Sequence, residues 1–336
     1  MRKIIKRGLA VTAAAVLSVG LAASTALGDP GNYHPAFATD TSDVVGVGSD
    51  TSELVLNALA DGLAPNFTDG FNELGRNGVV GGGDDNPADR LASFDATGSA
   101  NITIRPGLSI PRPNGSSQGI AALQARPQID FARSSRALTA AEVSAGLRMV
   151  PFARDTLVLV TNSGRTAPAT LTNAQLLGIY ECTITNWSQV SGTPAGVIKP
   201  LIPQTGSGSR QFFIDQLTAI KGSPYNPNQP CLTVTQEHDP APVIANSPNA
   251  IGPFSLGRFN QLPAATKSQL RTFTNPRWTR VLYNILRATQ VTTAKNAAVF
   301  SSTGFICSTK GKAIVTANGF QTLASGCGIP RTTPLP

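Results

Sequence analysis

Serine and glycine alternate in Gly206-Ser207-Gly208-Ser209, Arg210 stands directly behind them, and an apolar helical pattern follows through Phe212, Phe213 and Leu217. Phe213 and Leu217, four residues apart, share one face of a helix. The start of such a helix offers unpaired backbone N–H groups and the positive end of its dipole. Hydroxyls and a guanidinium at the same spot suit an anion. A single Gly-Ser turn before a helix is only a turn and an N-cap. The design recurs twice upstream, however. Gly46-Val47-Gly48-Ser49-Asp50-Thr51 opens a helical pattern over Ser52 to Ala60, and Pro113-Asn114-Gly115-Ser116-Ser117-Gln118-Gly119 opens one over Ile120 to Gln124. Three such starts point to one small anionic ligand shared between them.

The elements that must deliver these loops alternate along the chain. Val44 to Val47 reads as a short strand, Asn101 to Ile104 as another, and Gln128 to Ala132 as a third that ends at Arg133-Ser134-Ser135-Arg136. Thr139 followed three residues later by Glu142 caps a short helix. Met149 to Thr161 is the longest apolar run outside the leader, β-branched and long enough to cross between two lobes. Thr172 to Tyr180 is helical, Ala195 to Ile202 leads to the Gly206 loop, and Ala250 to Phe254 is a second crossing strand. Arg280 to Leu286 is a late strand, and Asn296 to Phe305 and Lys310 to Asn318 are closing helices. Thr68 to Asp89, dense in Gly, Asn and Asp, reads as an exposed loop. Alternating strands and helices make the fold α/β.

Residues 1–28 read as a signal peptide: Arg2, Lys3, Lys6 and Arg7 precede an apolar run from Leu9 to Leu21 and small residues up to Gly28. No cysteine stands at the cleavage point to take a lipid, so the expected product is secreted and soluble. Residues 29–40 form a flexible lead. Four of the 27 basic side chains leave with the leader, which takes the balance against 19 acids from +8 to +4. Without clustered Lys and Arg there is no stripe for nucleic acid. Cys182, Cys231, Cys307 and Cys327 in an exported chain predict two disulfides. Of the three pairings, Cys182–Cys231 with Cys307–Cys327 is favoured, because each then closes a loop within one region. No cysteine pair has the short spacing of a zinc knuckle, and no cofactor is expected.

The order of these motifs resembles the substrate-binding proteins of phosphate-specific ABC importers, in the variant common among secreted actinobacterial proteins. The matching residues are the Gly46-to-Thr51 loop, Gly115-Ser116-Ser117 with Gly119, Asp130-Phe131-Ala132-Arg133-Ser134-Ser135, Leu171-Thr172 through Tyr180 with Asn186-Trp187, Gly206-Ser207-Gly208-Ser209 and Ala250-Ile251-Gly252. The resemblance implies a type II periplasmic-binding-protein fold: two α/β lobes, a ligand cleft between them and a hinge of two crossing strands. Residues 41–152 and 254–336 would form lobe one and residues 153–253 lobe two. The implied ligand set is Asp50, Thr51, Ser116, Ser135, Ser207, Gly208 and Ser209. The implied ligand is a small oxyanion, phosphate first, taken up by a monomer that serves an ABC permease. Two departures stand out. The family places Asp where this chain has Ser135, and Arg where it has Pro203 and Gln204. Asp50 is expected to replace the lost acceptor and Arg210 the lost charge.

Two other functions compete. Gly115 to Gly119 fits G-x-S-x-G, and Asp155 or Glu181 and then His238 follow in the order of a secreted serine hydrolase. The strand needed before such an elbow is poor at Ile110-Pro111-Arg112-Pro113, so the protein is expected not to be an enzyme. A scavenging protein that kept the fold without transport is the other alternative.

Overall fold

A computed structural model describes residues 43–72, 90–164, 167–190, 193–245 and 249–335. The expected leader, the lead and the glycine-rich stretch from residue 73 to Asp89 lie outside the described residues.

The strands are β1 (Val44–Gly48), β2 (Leu91–Ser93), β3 (Asn101–Arg105), β4 (Leu108–Pro111), β5 (Phe131–Ser134), β6 (Leu147–Asn162), β7 (Lys199–Pro203), β8 (Thr233–Thr235), β9 (Ala250–Ser255), β10 (Leu270–Thr272), β11 (Trp278–Arg287) and β12 (Gln321–Thr322). The helices are α1 (Glu53–Asp61), α2 (Ser116–Ala125), α3 (Ala140–Ser144), α4 (Asn173–Tyr180), α5 (Gly208–Lys221), α6 (Ala241–Ala245), α7 (Leu256–Asn260), α8 (Ala264–Lys267), α9 (Ala294–Phe300) and α10 (Thr309–Ala317). One mixed sheet runs in the order β2-β1-β5-β11-β6-β9-β7-β8, and β10 and β12 also pair with β6. β1 is parallel to β2 and β5, and β7 is parallel to β8 and β9. The antiparallel strands β6 and β11 join the two parallel groups.

Period-two alternation along β6 and β11 decides which side chains enter which core. In β11, Leu282 and Leu286 point into one cluster with Val44, Phe131 and Phe300, while Val281, Tyr283 and Ile285 point into another with Val45, Ile120 and Met149. Further along β6, Leu157 and Leu159 join Trp187, Phe213 and Leu217, and Val158 and Val160 join Leu201 and Phe254 on the opposite face. The long run read as a crossing strand is therefore apolar over most of its length because both of its faces are covered, with Arg154, Asp155 and Thr156 as its polar break.

Phe213 and Leu217 are fully buried, as their spacing predicts, and each contributes about 1.5–3 kcal/mol by leaving water. The capping box at Thr139 and Glu142 forms. Some boundaries differ from the sequence pattern. Ser116 to Gln118 form the first turn of α2 rather than a loop. The third strand begins at Phe131 and takes in Arg133 and Ser134, because Ile129 closes a turn onto the Arg126 carbonyl. Leu108–Pro111 is a strand after all, but it pairs only with β3 in a separate two-stranded sheet. The closing helix expected through Phe305 stops at Phe300.

Both disulfides pair as favoured. Cys182–Cys231 ties the end of α4 to the segment before β8, and Cys307–Cys327 ties the turn after α9 to the C-terminal stretch. Each adds roughly 2–4 kcal/mol by restricting the unfolded chain.

Candidate anion-binding site

In sheets of parallel strands, ligands gather at the carboxyl ends of the strands. Here β1 ends at Ser49 and Thr51, β5 at Ser135, β7 at the Gly206 loop, β8 at Gln236-Glu237-His238 and β9 at Ser255. Their loops meet, and with them the N-termini of α1, α2 and α5.

One group is made of neutral hydroxyls. Ser49 Oγ donates to Ser135 Oγ (3.2 Å), and Ser116 Oγ lies 3.4 Å from Ser135 Oγ and accepts from the Ser135 N–H (3.1 Å). Gly208, the first residue of α5, packs against both hydroxyls. A Cβ built there would fall 2.3 Å from each of the Ser116 and Ser135 oxygens, so only glycine allows this approach. Ser207 caps α5 by accepting the Arg210 N–H (3.0 Å).

The second group carries charge. Thr51 Oγ1 and Ser209 Oγ, 3.2 Å apart, donate to the same oxygen, Glu237 Oε1, at 2.8 and 2.7 Å. Arg280 Nη2 donates to Ser209 Oγ (2.8 Å) and Thr51 Oγ1 (3.3 Å). Asp155 clamps that guanidinium through Nε (3.1 Å) and Nη2 (2.9 Å), and is itself held by the Ser255 hydroxyl (2.8 Å). Phe212 lies under the guanidinium, 5.6 Å from ring centre to carbon. The Ser255 N–H donates to His238 Nδ1 (3.2 Å), so the ring proton sits on Nε2, facing Thr51 Oγ1 (3.0 Å) and Glu237 Oε1 (3.3 Å). Burial would raise the Glu237 pKa, but hydrogen bonds from His238, Ser207 and Ser209 outweigh it and hold the carboxyl well below the usual range.

Beneath both groups lies Arg133, fully buried, with Nε on the Ser49 carbonyl (3.1 Å) and Nη1 on Ser93 Oγ (2.8 Å). Glu53, nearby on α1, is pushed up to about 8, first by burial and then by the charges of Asp50 and Asp95. An amide seam closes one side: Asn114 donates to Gln236 (2.8 Å), Gln204 donates to Asn114 (2.9 Å), and the Glu237 N–H donates to Gln204 (2.7 Å). The Ser117 N–H also donates to the Gly206 carbonyl (3.0 Å). Among the described residues no group of His, Cys, Asp and Glu could hold a metal.

Of the residues expected to hold the ligand, Thr51, Ser116, Ser135, Gly208 and Ser209 are brought together, with Ser207 at the edge as a cap. The two stand-in charges are used elsewhere. Arg210 donates to the Pro203 carbonyl (2.7 Å), because its place on the first turn of α5 points it back along β7. Asp50 is paired with Arg258 (3.0 Å) and accepts from Gln236 (3.2 Å). The guanidinium that reaches the hydroxyls belongs to Arg280, and the carboxylate among them to Glu237. The signals available were a lone arginine heading an apolar strand and an acid beside a histidine in a short polar turn.

The hydrolase residues do not meet. Ser117 Oγ accepts from Arg136 (3.1 Å), Glu181 pairs with Lys221 (2.7 Å), Asp155 is bound to Arg280, and His238 Nδ1 is already occupied.

Over residues 35–320 the sequence matches the family model of the PBP superfamily domain. No curated protein matches it. Among similar solved structures is an ABC-type phosphate transport receptor from Vibrio cholerae, at 20% identity and TM-score 0.55, over 84% of this chain and 100% of that one. A putative phosphate ABC transporter substrate-binding protein with bound phosphate from Clostridium perfringens has 18% identity and TM-score 0.59, over 84% and 99%. A phosphate binding protein from Stenotrophomonas maltophilia has 12% identity and TM-score 0.55, over 84% and 91%. The chain belongs to the PBP superfamily, and its mixed α/β architecture is the two-lobed periplasmic-binding-protein fold.

Proposed function

We propose that this chain captures a small oxyanion, inorganic phosphate first, in a cleft between its lobes and delivers it for uptake. The observation that carries the reading is the meeting of hydroxyls from the starts of α1, α2 and α5, with neighbouring hydroxyl oxygens 3.2–3.4 Å apart and the Arg280 guanidinium on two of them, Thr51 and Ser209. Phosphate comes first for two reasons. The similar structures from Vibrio cholerae, Clostridium perfringens and Stenotrophomonas maltophilia are a phosphate transport receptor, a putative phosphate transporter substrate-binding protein with bound phosphate and a phosphate binding protein. Asp50 and Asp155 also border the hydroxyls, so an oxyanion that keeps a proton meets less repulsion there than fully ionised sulfate.

The lobes in this reading are residues 41–152 with 254–336, and residues 153–253. They bend about Pro151-Phe152 and Gly252-Pro253. The ligand set is Thr51, Ser116, Ser135, Ser207, Gly208 and Ser209, with Arg280 in the part first given to Arg210. The protein acts outside the membrane as a secreted monomer with an ABC permease as partner, and it performs no catalysis.

Calorimetric titration of protein freed of bound ligand tests this. Phosphate is expected to bind and sulfate to bind more weakly. Arg280→Gln is expected to cost ~1.5–3 kcal/mol of phosphate affinity, the range for a hydrogen bond to a charged group. No heat with either anion would overturn the reading.

A further inference from the structure

Glu237 occupies the donors that an incoming anion needs. Arg280 donates to both Thr51 Oγ1 and Ser209 Oγ, so each hydroxyl has its single proton left to give. Both protons go to Glu237 Oε1, at 2.8 and 2.7 Å, and His238 Nε2 faces the same oxygen at 3.3 Å. The carboxylate side chain is 0% exposed and that of His238 1%. This is how an oxyanion would be held, and the anion present is the protein's own.

We propose that the Glu237 carboxylate is a tethered competitor for the ligand: it fills the charged half of the site, and an oxyanion binds by displacing it. The proposal rests on the oxyanion reading above. A hydroxyl with one proton cannot serve two anions, so Thr51 and Ser209 are either with Glu237 or with the ligand. Charge argues the same way. A dianion that entered without moving Glu237 would add its charge to three carboxylates, Glu237, Asp155 and Asp50, which face the guanidiniums of Arg280 and Arg258 with Arg133 beneath.

The turn that carries Glu237 lies at one edge of the sheet. It follows β8, a three-residue edge strand bonded only to β7. His238, next to Glu237, has φ 58°, a left-handed conformation disfavoured for a residue with a side chain. Withdrawal of the turn would free the hydroxyls of Thr51 and Ser209.

Such a competitor acts as a filter. A tethered carboxylate is present at an effective concentration of millimolar or more, so free monocarboxylates do not replace it. A ligand succeeds only by offering more charge or more acceptor oxygens to Arg280, Ser209, Thr51 and the Ser49-Ser116-Ser135 hydroxyls together. Glu237 thereby sets specificity by exclusion.

Glu237→Gln and Glu237→Ala, with folding checked by circular dichroism, test this by calorimetry with inorganic phosphate and by thermal shift with formate. Glu237→Gln is expected to bind phosphate about tenfold tighter or more, because the amide is a weaker competitor. Glu237→Ala is expected to be stabilised by formate, which enters the vacated position, while the wild type is indifferent to it. Phosphate binding that is weaker or unchanged in Glu237→Gln overturns the proposal, as does a Glu237→Ala chain that ignores formate. If phosphate binds none of the chains, the phosphate reading fails and the formate comparison alone decides whether Glu237 occupies an anion site.

Discussion

Two arginines lie buried on either side of the same hydroxyls and do different work. Arg133 is completely enclosed, and its donors end on the Ser49 carbonyl and the Ser93 hydroxyl. Arg280 is 4% exposed and sits opposite Asp155 in the β6–β11 ladder, with a donor left for Thr51 and Ser209. The first fixes the shape of the loop that presents Ser49 and Thr51. The second polarises hydroxyls whose own protons face an anion. What distinguishes a scaffold charge from a working one is where its donors end, since burial is the same for both.

The largest effect should come from breaking the scaffold charge. Arg133→Met leaves the Ser49 carbonyl and the Ser93 hydroxyl without their donor in a dry interior, which costs on the order of 1–3 kcal/mol for each unsatisfied group. Chemical denaturation should show that loss, while phosphate affinity of the folded fraction stays close to wild type. Arg280→Gln should lose phosphate affinity as well as stability, because Asp155 is left buried without its partner. If Arg133→Met reduces affinity as much as Arg280→Gln does, the distinction between the two arginines is wrong.

A smaller effect tests the acid beneath them. Glu53 rises from 4.5 to about 8, and Arg133 is among the charges that oppose the rise. Below about pH 4.5 the folded and unfolded chains both hold the proton. Between there and about pH 8 the unfolded chain loses it and the folded chain keeps it, so stability falls as pH rises through that window and then levels. A tenfold change in proton affinity is worth about 1.4 kcal/mol. Glu53→Gln should flatten the curve, which denaturation at about pH 5 and about pH 8.5 would reveal. An unaltered slope would mean that another group carries it.

How much of this was legible depended on sequence distance. The Ser-led loops could be read because a cap and a glycine turn are local matters: Ser207 caps the helix that it precedes, and Gly208 and Ser209 follow at once. Phe213 and Leu217 announced their buried face by spacing alone. Arg280 and Glu237 could not be read that way. Ser209 and Arg280 are 71 residues apart, and Thr51 and Glu237 are 186 apart. Their meeting is decided by strand order rather than by any local pattern. Arg210 looked like the site's charge because it was adjacent in sequence, but the first turn of α5 sends its side chain to the Pro203 carbonyl. A lone charge within an apolar strand needs a partner across the sheet, and Asp155 with Arg280 is such a pair. That rule names the need for a partner without naming which strand supplies it.

The smallest effect separates two uses of a single hydroxyl. Ser207 belongs to the expected ligand set, yet its oxygen accepts the Arg210 N–H at 3.0 Å and so caps α5. Its proton helps to hold the Glu237 carboxylate. Loss of the cap in Ser207→Ala should cost about 1 kcal/mol of stability, whereas Ser207→Gly should cost only a few tenths. If the hydroxyl is chiefly a cap, phosphate affinity should change by only ~0.5–1 kcal/mol, the worth of one ordinary hydrogen bond. The two variants should then differ in stability and agree in affinity. An affinity loss as large as that of Arg280→Gln, at unchanged stability, would move Ser207 from the helix to the ligand and place the centre of the site at the start of α5 instead of at Arg280.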